Sequence, residues 1–397
     1  MNTKFFNTFI GLLLVFVISS TSLAEEFKND TNSAIVIHDS QLVFSRTIRQ
    51  EHDFEKILKE IDSLNILVEF PEHETKSYAY EVLMYYSEYY SINPLVILSF
   101  LEKENGIFSK SSLSDVELEH VAGMRDSKHQ GFANQIKWLT STLAESYYSY
   151  KYDVPTHEKM DTQLNPGSFA IQNILFSTNS RTQDDNDKLT LETNSFVKIY
   201  QQFRNPQEDV FWQSSQDTKA SSQPYMVLPW ASGKSMHFTG GPHNYWGTST
   251  AQPWSSLDFA PEGGSGCNWT SYTRVTPTRS GDVFYATNAL VKINHAQDIT
   301  EAPWETRYFH LRSIRVSNGN YVSTNTTLGY PSCERGKASG IHLHFAFAYD
   351  GEFVKAHGKY FSGWRIEETT HYNGTMSKGR HTVTADKVKS DDNKITN

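Results

Sequence analysis

The chain has 397 residues and a net charge of −9, which is enough length for two or three domains with sizeable cores. Its charge lacks the basic surplus typical of nucleic-acid-binding proteins, so we expect no nucleic-acid partner. Two cysteines, Cys267 and Cys333, are too few for a disulfide-rich scaffold; in an oxidising compartment they predict one intramolecular disulfide.

The first 24 residues predict a secretory signal peptide. Lys4 precedes the apolar run FIGLLLVFVI, and Ser22-Leu23-Ala24 gives a small-x-small cleavage pattern. The run is too short for a membrane anchor, and no later segment reaches the roughly 18 apolar residues that a span needs. We therefore expect a secreted protein without a membrane span.

Residues 25–221 predict an acidic, mainly helical domain. Helical apolar spacing occurs in segments 50–64, 77–90, 133–151 and 194–204, and Asn93-Pro94 and Gly106 are the start and stop signals of a further helix. This half carries 18 Lys and Arg against 31 Asp and Glu, a net charge of −13. Residues 222–397 carry 17 against 14, a net charge of +3. Segment 211–225 is rich in Ser, Gln and Thr, which predicts an exposed linker.

From Tyr225 onward the pattern indicates antiparallel β-structure. Short alternating runs over 281–293, 306–314, 340–349 and 351–356 are separated by turns rich in Gly or Asn. The polar tail from about 384 predicts a frayed end.

The run SGIHLHFAFAYDG, residues 339–351, raises the question of why a buried strand has two histidines two positions apart. Successive side chains on a strand point to opposite faces, so Leu343 and Phe345 share one face and His342, His344 and Ala346 the other. Two structural histidines or part of a metal site would both fit this pattern.

Further candidate metal ligands precede this strand. His243 lies among glycines and aromatics, and Asp258 lies between Leu257 and Phe259, where a carboxylate is costly to bury unless it is paired or binds a cation. A catalytic zinc needs three protein ligands and one open position. His243, Asp258 and one member of the His342/His344 pair would supply three ligands. The other member and His310 would remain free as acid, base or hydrogen-bond donor.

The motifs GGPH…SSLDF, YFHL and LGYPSCERGKASGIHLHFAF together resemble the M23 zinc metallopeptidases, most closely their beta-lytic, staphylolysin-like branch. The resemblance covers roughly residues 222–375, and the helical half resembles the propeptide of such enzymes, notably in YSINPLVILSFLEKENG. The resemblance implies a mainly helical propeptide, 25–221, followed by an antiparallel β-rich catalytic domain of the lysostaphin type, 222–397. A zinc ion, Zn(2+), is implied as the cofactor, one per catalytic domain.

The resemblance also assigns roles to individual residues. The zinc ligands would be His243, Asp258 and His344. The two catalytic histidines would be His310 and His342, and Tyr372 would stabilise the oxyanion. Close relatives have a cysteine within the segment ATNALVKI, where this chain has none, so Cys267 would replace it as the partner of Cys333; their C-terminal disulfide is also missing here.

The implied function is that of a secreted endopeptidase acting on Gly-rich peptides, chiefly peptidoglycan cross-bridges of Gram-positive bacteria, with elastin as a second substrate. Its further partners would be its own propeptide, as inhibitor or chaperone, and an activating protease. The alternative is a non-catalytic M23-fold protein that binds the cell wall or activates another hydrolase. Trp246, Trp254, Trp269, Trp304 and Tyr308 could line a substrate groove or pack in the core.

Overall fold

The computed structural model describes residues 36–72, 75–153, 164–178, 185–203, 222–247, 251–296, 303–367 and 370–397. The predicted signal peptide and residues 211–221 of the predicted linker lie outside these ranges. The described residues form a helical N-terminal domain and an antiparallel β-rich C-terminal domain, which confirms the predicted fold class. None of the helices described is long and apolar enough to cross a lipid bilayer.

The N-terminal domain is built from helices of very different length. In chain order they are α1 Asp39–Leu42, α2 Arg46–Glu51, α3 Phe54–Lys59, α4 Ala79–Tyr90, α5 Pro94–Asn105, α6 Asp115–Glu119, α7 Phe132–Tyr152, α8 Pro166–Thr178 and α9 Asp185–Phe203, with a 3-10 turn at Asp62–Leu64. The predicted helix over 50–64 is broken, because the Asp53 carboxylate accepts the Lys56 N–H and starts a new helix there. Helix α8 was not predicted from the sequence.

Helices α4 and α5 meet at a turn that also contacts the C-terminal domain. Helix α4 ends at Tyr90 and is followed by Ser91, which has a left-handed backbone (φ 58°). The Asn93 side chain then accepts the Leu95 N–H and caps α5, as the Asn-Pro signal predicts. Helix α5 ends at Asn105 and is followed by Gly106, whose φ of 62° favours glycine.

Two short strands, β1 Leu67–Val68 and β2 Ser77–Tyr78, pair within the N-terminal domain. The C-terminal strands are β3 Ser235–His243, β4 Ser256–Pro261, β5 Gly281–Thr287, β6 Leu290–Asn294, β7 Trp304–Phe309, β8 Leu311–Arg312, β9 Tyr321–Val322, β10 Tyr330–Pro331, β11 Leu343–Tyr349, β12 Glu352–Phe353, β13 Tyr360–Phe361, β14 Trp364–Glu367, β15 Thr375–Lys378, β16 His381–Thr384 and β17 Lys394–Thr396. The main sheet has the order β17-β3-β4-β11-β7-β6-β5-β9, and β12 pairs with β11. Strands β13 to β16 form a second sheet, and β8 pairs with β10.

One face of the main sheet carries the candidate site residues. The register of antiparallel strands places residues that lie opposite one another on the same face. We call this the site face; in two successive rows it carries Asp258, His344 and Phe309, then Ala346, Arg307 and Lys292. The predicted division of the HLHF strand into two faces is confirmed, because His344 and Ala346 share this face while Leu343 and Phe345 point away from it.

The two faces of the main sheet are covered by different cores. On the far face, Phe345 and its neighbours pack against the second sheet, with the Phe345 and Phe361 rings 5.0 Å apart. The core of the helical domain continues over the site face and includes Tyr245, Trp246 and Phe353. The N-terminal domain therefore lies on the site face.

The C-terminal tail is ordered, so the predicted frayed end is wrong. Residues Lys394–Thr396 pair with Ser235–His237 at the edge of the main sheet. Ile395 is completely buried, and its burial supplies the free energy that orders a mostly polar segment.

Candidate active site

His243, Asp258 and His344 form a compact three-residue cluster on the site face. One ligand atom from each lies within 4.8 Å of the others. Asp258 and His344 are directly opposite each other across β4 and β11, and His243 ends β3 after an irregular register next to Gly240. A Cβ at Gly240 would lie 2.9 Å from Oδ2 of Asp258, so the glycine makes room for the carboxylate.

The nitrogen and oxygen atoms of the cluster are spaced as the ligands of a cation would be. Nδ1 of His243 donates to the Asn244 carbonyl oxygen at 2.7 Å, so Nε2, which lies 3.1 Å from Oδ2 of Asp258, is the ring nitrogen left for a metal. Nδ1 of His344 lies 2.9 Å from the other carboxylate oxygen. In a tetrahedral zinc site with bonds of about 2.0–2.1 Å, neighbouring ligand atoms lie about 3.3 Å apart. The donor set and its spacing therefore fit a zinc ion held by these three residues.

The carboxyl group of Asp258 is ionised. Burial alone would raise its pKa, but the neighbouring His243 and His342, together with hydrogen bonds from the cluster, hold the pKa well below its ordinary value. Asp258 is thus able to act as an anionic ligand.

His310 reaches the cluster through a break in β7. The strand ends at Phe309, and His310 has a left-handed backbone with a φ of 61°, which is rare for a residue that is not glycine. In a continuous strand, His310 would point to the face opposite Phe309. The turn instead brings its ring within 4.6 Å of the His342 ring, so the approach of these two candidate catalytic histidines depends on this conformation.

Backbone carbonyl groups orient the two remaining histidines. Nδ1 of His310 lies 2.9 Å from the Glu334 oxygen, and Nδ1 of His342 lies 2.9 Å from the Gly340 oxygen. Each Nδ1 donates its proton to a carbonyl oxygen, which leaves Nε2 unprotonated in the neutral ring. Nε2 of His342 lies 3.7 Å from Oδ1 of Asp258. Burial, with smaller effects of His342 and His344, lowers the pKa of His310 well below its usual value.

Tyr372 packs on His243, the candidate metal ligand at the end of β3. Its ring stacks on His243 with centroids 4.1 Å apart, and its backbone is also left-handed, with a φ of 67°. Burial and, to a smaller extent, Asp258 raise its pKa to about 12, so the hydroxyl group stays protonated and can donate a hydrogen bond.

The structure joins Cys267 and Cys333 in a disulfide bond, as the cysteine count predicts. The bond fixes the segment that holds His310, because Ser332 N and Oγ both donate to the His310 carbonyl oxygen at 2.8 Å. The sequence patterns did not reveal Ser332, Glu334 or Gly340 as orienting residues, since they act through backbone atoms or short contacts.

Of the aromatic residues considered for a substrate groove, two have packing roles instead. Trp304 and Tyr308 are buried in the core on the far face of the sheet. Trp246 lies beneath the helical domain, where its ring is 5.8 Å from Tyr148 and 5.9 Å from Phe353. Tyr245 was not singled out from the sequence, yet its ring lies 5.1 Å from that of His344.

Comparisons with known proteins match both halves of the chain. The model for the LasA N-terminal domain matches residues 35–217, and the model for peptidase family M23 matches residues 260–356. Protease LasA of Pseudomonas aeruginosa is 29% identical over 313 residues, which cover 73% of this chain and 71% of the relative. Beta-lytic metalloendopeptidase of Lysobacter enzymogenes is 32% identical over 153 residues, which cover 36% of this chain and 80% of the relative.

A solved structure of the M23 metalloprotease pseudoalterin is 26% identical with a TM-score of 0.36, covering 41% of this chain and 96% of that one. The first match includes the described helices, and the second lies within the β-rich C-terminal domain. This chain belongs to peptidase family M23 and carries an N-terminal domain of the LasA type.

Proposed function

We propose that this chain is the secreted precursor of a zinc endopeptidase that hydrolyses Gly-rich peptide bonds, chiefly the peptidoglycan cross-bridges of Gram-positive bacteria, with elastin as a second substrate. The main support is the cluster of His243, Asp258 and His344. It lies beside two histidines whose Nδ1 atoms donate to carbonyl oxygens, so their Nε2 atoms are available to accept a proton. Relatives named protease and metalloendopeptidase support peptide-bond hydrolysis.

The residues around the cluster can divide the proton transfers between them. A zinc ion bound by His243, Asp258 and His344 would act as a Lewis acid on the peptide carbonyl and lower the pKa of water. Nε2 of His310 or His342 accepts the proton of the attacking water, and the same ring returns a proton to the leaving amine. The Tyr372 hydroxyl group donates a hydrogen bond to the developing oxyanion.

A preference for glycine is physically reasonable at such a site. A Gly-Gly backbone occupies a narrow groove that a side chain would block, and it adopts backbone conformations that other residues avoid. This argument supports Gly-rich cross-bridges and elastin-like sequences as substrates.

The N-terminal domain is proposed to keep the precursor inactive. The Tyr89 ring of α4 lies 5.0 Å from Tyr245 and 5.2 Å from Phe309, whose rings lie 5.1 Å and 6.3 Å from that of His344. With α4 in this position, a peptide could not lie across Tyr245 and Phe309 next to His344. An activating protease would then have to cut between the domains.

The peptidase proposal is tested with purified, processed protein on pentaglycine and on Gram-positive peptidoglycan. We expect hydrolysis that a chelator abolishes and stoichiometric zinc restores. A matched control replaces His357, which lies outside the cluster, with Ala and should keep full activity. Binding of cell wall without any hydrolysis by zinc-loaded protein would instead favour the non-catalytic alternative.

A further inference from the structure

Two cations lie on the site face next to the candidate metal ligands. Arg307 is opposite Ala346, which is two residues along β11 from His344, and Lys292 is opposite Arg307 on β6. Two residues along a strand correspond to about 6.6 Å. Arg307 is therefore one row along the sheet and one strand across from His344, and Lys292 is one strand further, about 10 Å across the sheet from β11.

Residues of the N-terminal domain supply much of the bonding of these cations. Nζ of Lys292 lies 2.7 Å from Oε2 of Glu88 and 3.3 Å from the Glu88 carbonyl oxygen. The side chains of Lys292 and Glu88 are 0% and 1% exposed, so this ion pair is completely enclosed. The carboxylate of Glu88 also pairs with Arg49 of its own domain.

Arg307 has hydrogen-bonding capacity that the precursor does not use. Its Nη2 donates to Ser91 Oγ at 2.9 Å and to the Gly351 oxygen at 3.0 Å. Its Nε and Nη1 are buried, and neither has a hydrogen-bond partner among the described residues. The guanidinium group is held in place by the Phe353 ring, whose centroid is 4.1 Å from Cζ.

Removal of the N-terminal domain would take away Glu88 and Ser91 together. Lys292 would then lose its carboxylate partner, while Arg307 would keep the Gly351 contact and Glu305, whose Oε2 is 3.8 Å from Nη2. The rings of Phe353 and Tyr245, which belong to the C-terminal domain, would still flank the Arg307 guanidinium group, with centroids 4.1 Å and 5.6 Å from Cζ. A lysine without its carboxylate partner, next to an arginine with unused donors, favours an anionic ligand.

We propose that Lys292 and Arg307 form an anion-binding subsite of the processed enzyme, which binds a carboxylate of the substrate peptide two or three residues from the cleaved bond. In the precursor, the Glu88 carboxylate occupies this subsite. A carboxylate is favoured because that is the group which Lys292 binds in the structure. The inference rests on the proposed peptidase function and adds a specificity determinant to it.

The test measures peptide binding by processed protein from which the metal has been removed, so that hydrolysis does not interfere. The full chain is made with a specific protease site within residues 204–221, cut, and separated from its N-terminal domain. Fluorescent pentaglycine peptides carry Glu-amide or Gln-amide at either end, and fluorescence anisotropy gives their Kd values. We expect at least about tenfold tighter binding of a Glu peptide than of its Gln counterpart.

Lys292→Gln should remove this preference, and Lys292→Arg should retain it because the charge is kept. The exposed Lys378 lies on the second sheet, so Lys378→Gln is the control with the same charge change and should bind like the wild type. Equal affinities of the wild type for both peptides, or an equal loss in the control, would overturn the subsite. Restoring zinc then tests the proposed function separately, since protein that prefers the Glu peptide but hydrolyses neither would contradict only the peptidase proposal.

Discussion

Nδ1 of His310 donates to the carbonyl oxygen of Glu334 at 2.9 Å, and Glu334 directly follows the disulfide-bonded Cys333. The orientation of a proposed catalytic base is thereby tied to a covalent cross-link. Because the bond closes a loop with a sequence separation of 66, it also restricts the unfolded chain.

We expect the double variant Cys267→Ala/Cys333→Ala to lose roughly 3–5 kcal/mol of unfolding free energy. It should also lose turnover on pentaglycine under conditions where it is still folded, because the Glu334 carbonyl group is less firmly held. Urea unfolding and initial rates give the two quantities. An unchanged kcat would show that the disulfide has no part in orienting His310.

Replacing the two histidines of the HLHF strand should have different effects on metal binding. His344→Ala should remove the metal, because Nδ1 of His344 faces Asp258 at 2.9 Å, whereas His342→Ala should retain it. Both variants should lose at least about a hundredfold in activity, in line with the contribution of general acid–base catalysis. Metal analysis of the purified variants distinguishes the roles, and the opposite result would exchange the two assignments.

Tyr89 should contribute to the latency of the uncut chain. Tyr89→Ala removes the ring that packs between Tyr245 and Phe309, so the residual activity of a cleavage-resistant precursor should rise, by about tenfold if the lost packing is worth about 1.4 kcal/mol. Tyr78→Ala, at the exposed start of the same helix, is the control and should stay latent. A precursor that is as active as the processed enzyme would refute latency altogether.

His295 should make the protein less stable in acid. Burial lowers its pKa from 6.5 to about 4, so the unfolded state binds more protons than the folded state between these pH values. Stability is therefore fully present above pH 6.5 and is lost as the pH falls towards 4. At pH 5 the loss should be about 2 kcal/mol. Urea unfolding at pH 7 and pH 5 should show a smaller difference for His295→Gln than for the wild type; identical differences would contradict the assignment.

The sequence was a good guide where a local pattern decides the structure. The alternation in the HLHF strand predicted which side chains share a face with His344, and Asn93 and Gly106 marked a helix correctly. His310 was named as a candidate from its residue type and the family resemblance, but strand alternation alone places it on the wrong face. Its left-handed backbone is fixed by tertiary contacts with residues 332–334.

The wrong prediction of a frayed C-terminal tail has a related cause. The C-terminal tail is polar, and a single buried side chain, Ile395, together with pairing to β3 orders it.

The residues through which α4 covers the site could not be predicted from the sequence. Charge counts indicate attraction between the two domains but not which residues meet. The contact made by α4 includes the ring pairs Tyr89–Tyr245 and Tyr90–Trp246 and the enclosed ion pair between Glu88 and Lys292.

Because the two domains share a core across the site face, cutting the chain between them would not by itself uncover the candidate site. Tyr245, Trp246 and Phe353 pack among helical-domain side chains, and Tyr148 Oη accepts the Phe353 N–H at 2.8 Å. None of these contacts depends on an intact backbone between the two domains. A cut chain would consequently hold together as a non-covalent complex of its two domains, so cleavage and exposure of the site face are two separate steps, and the second requires the helical domain to dissociate.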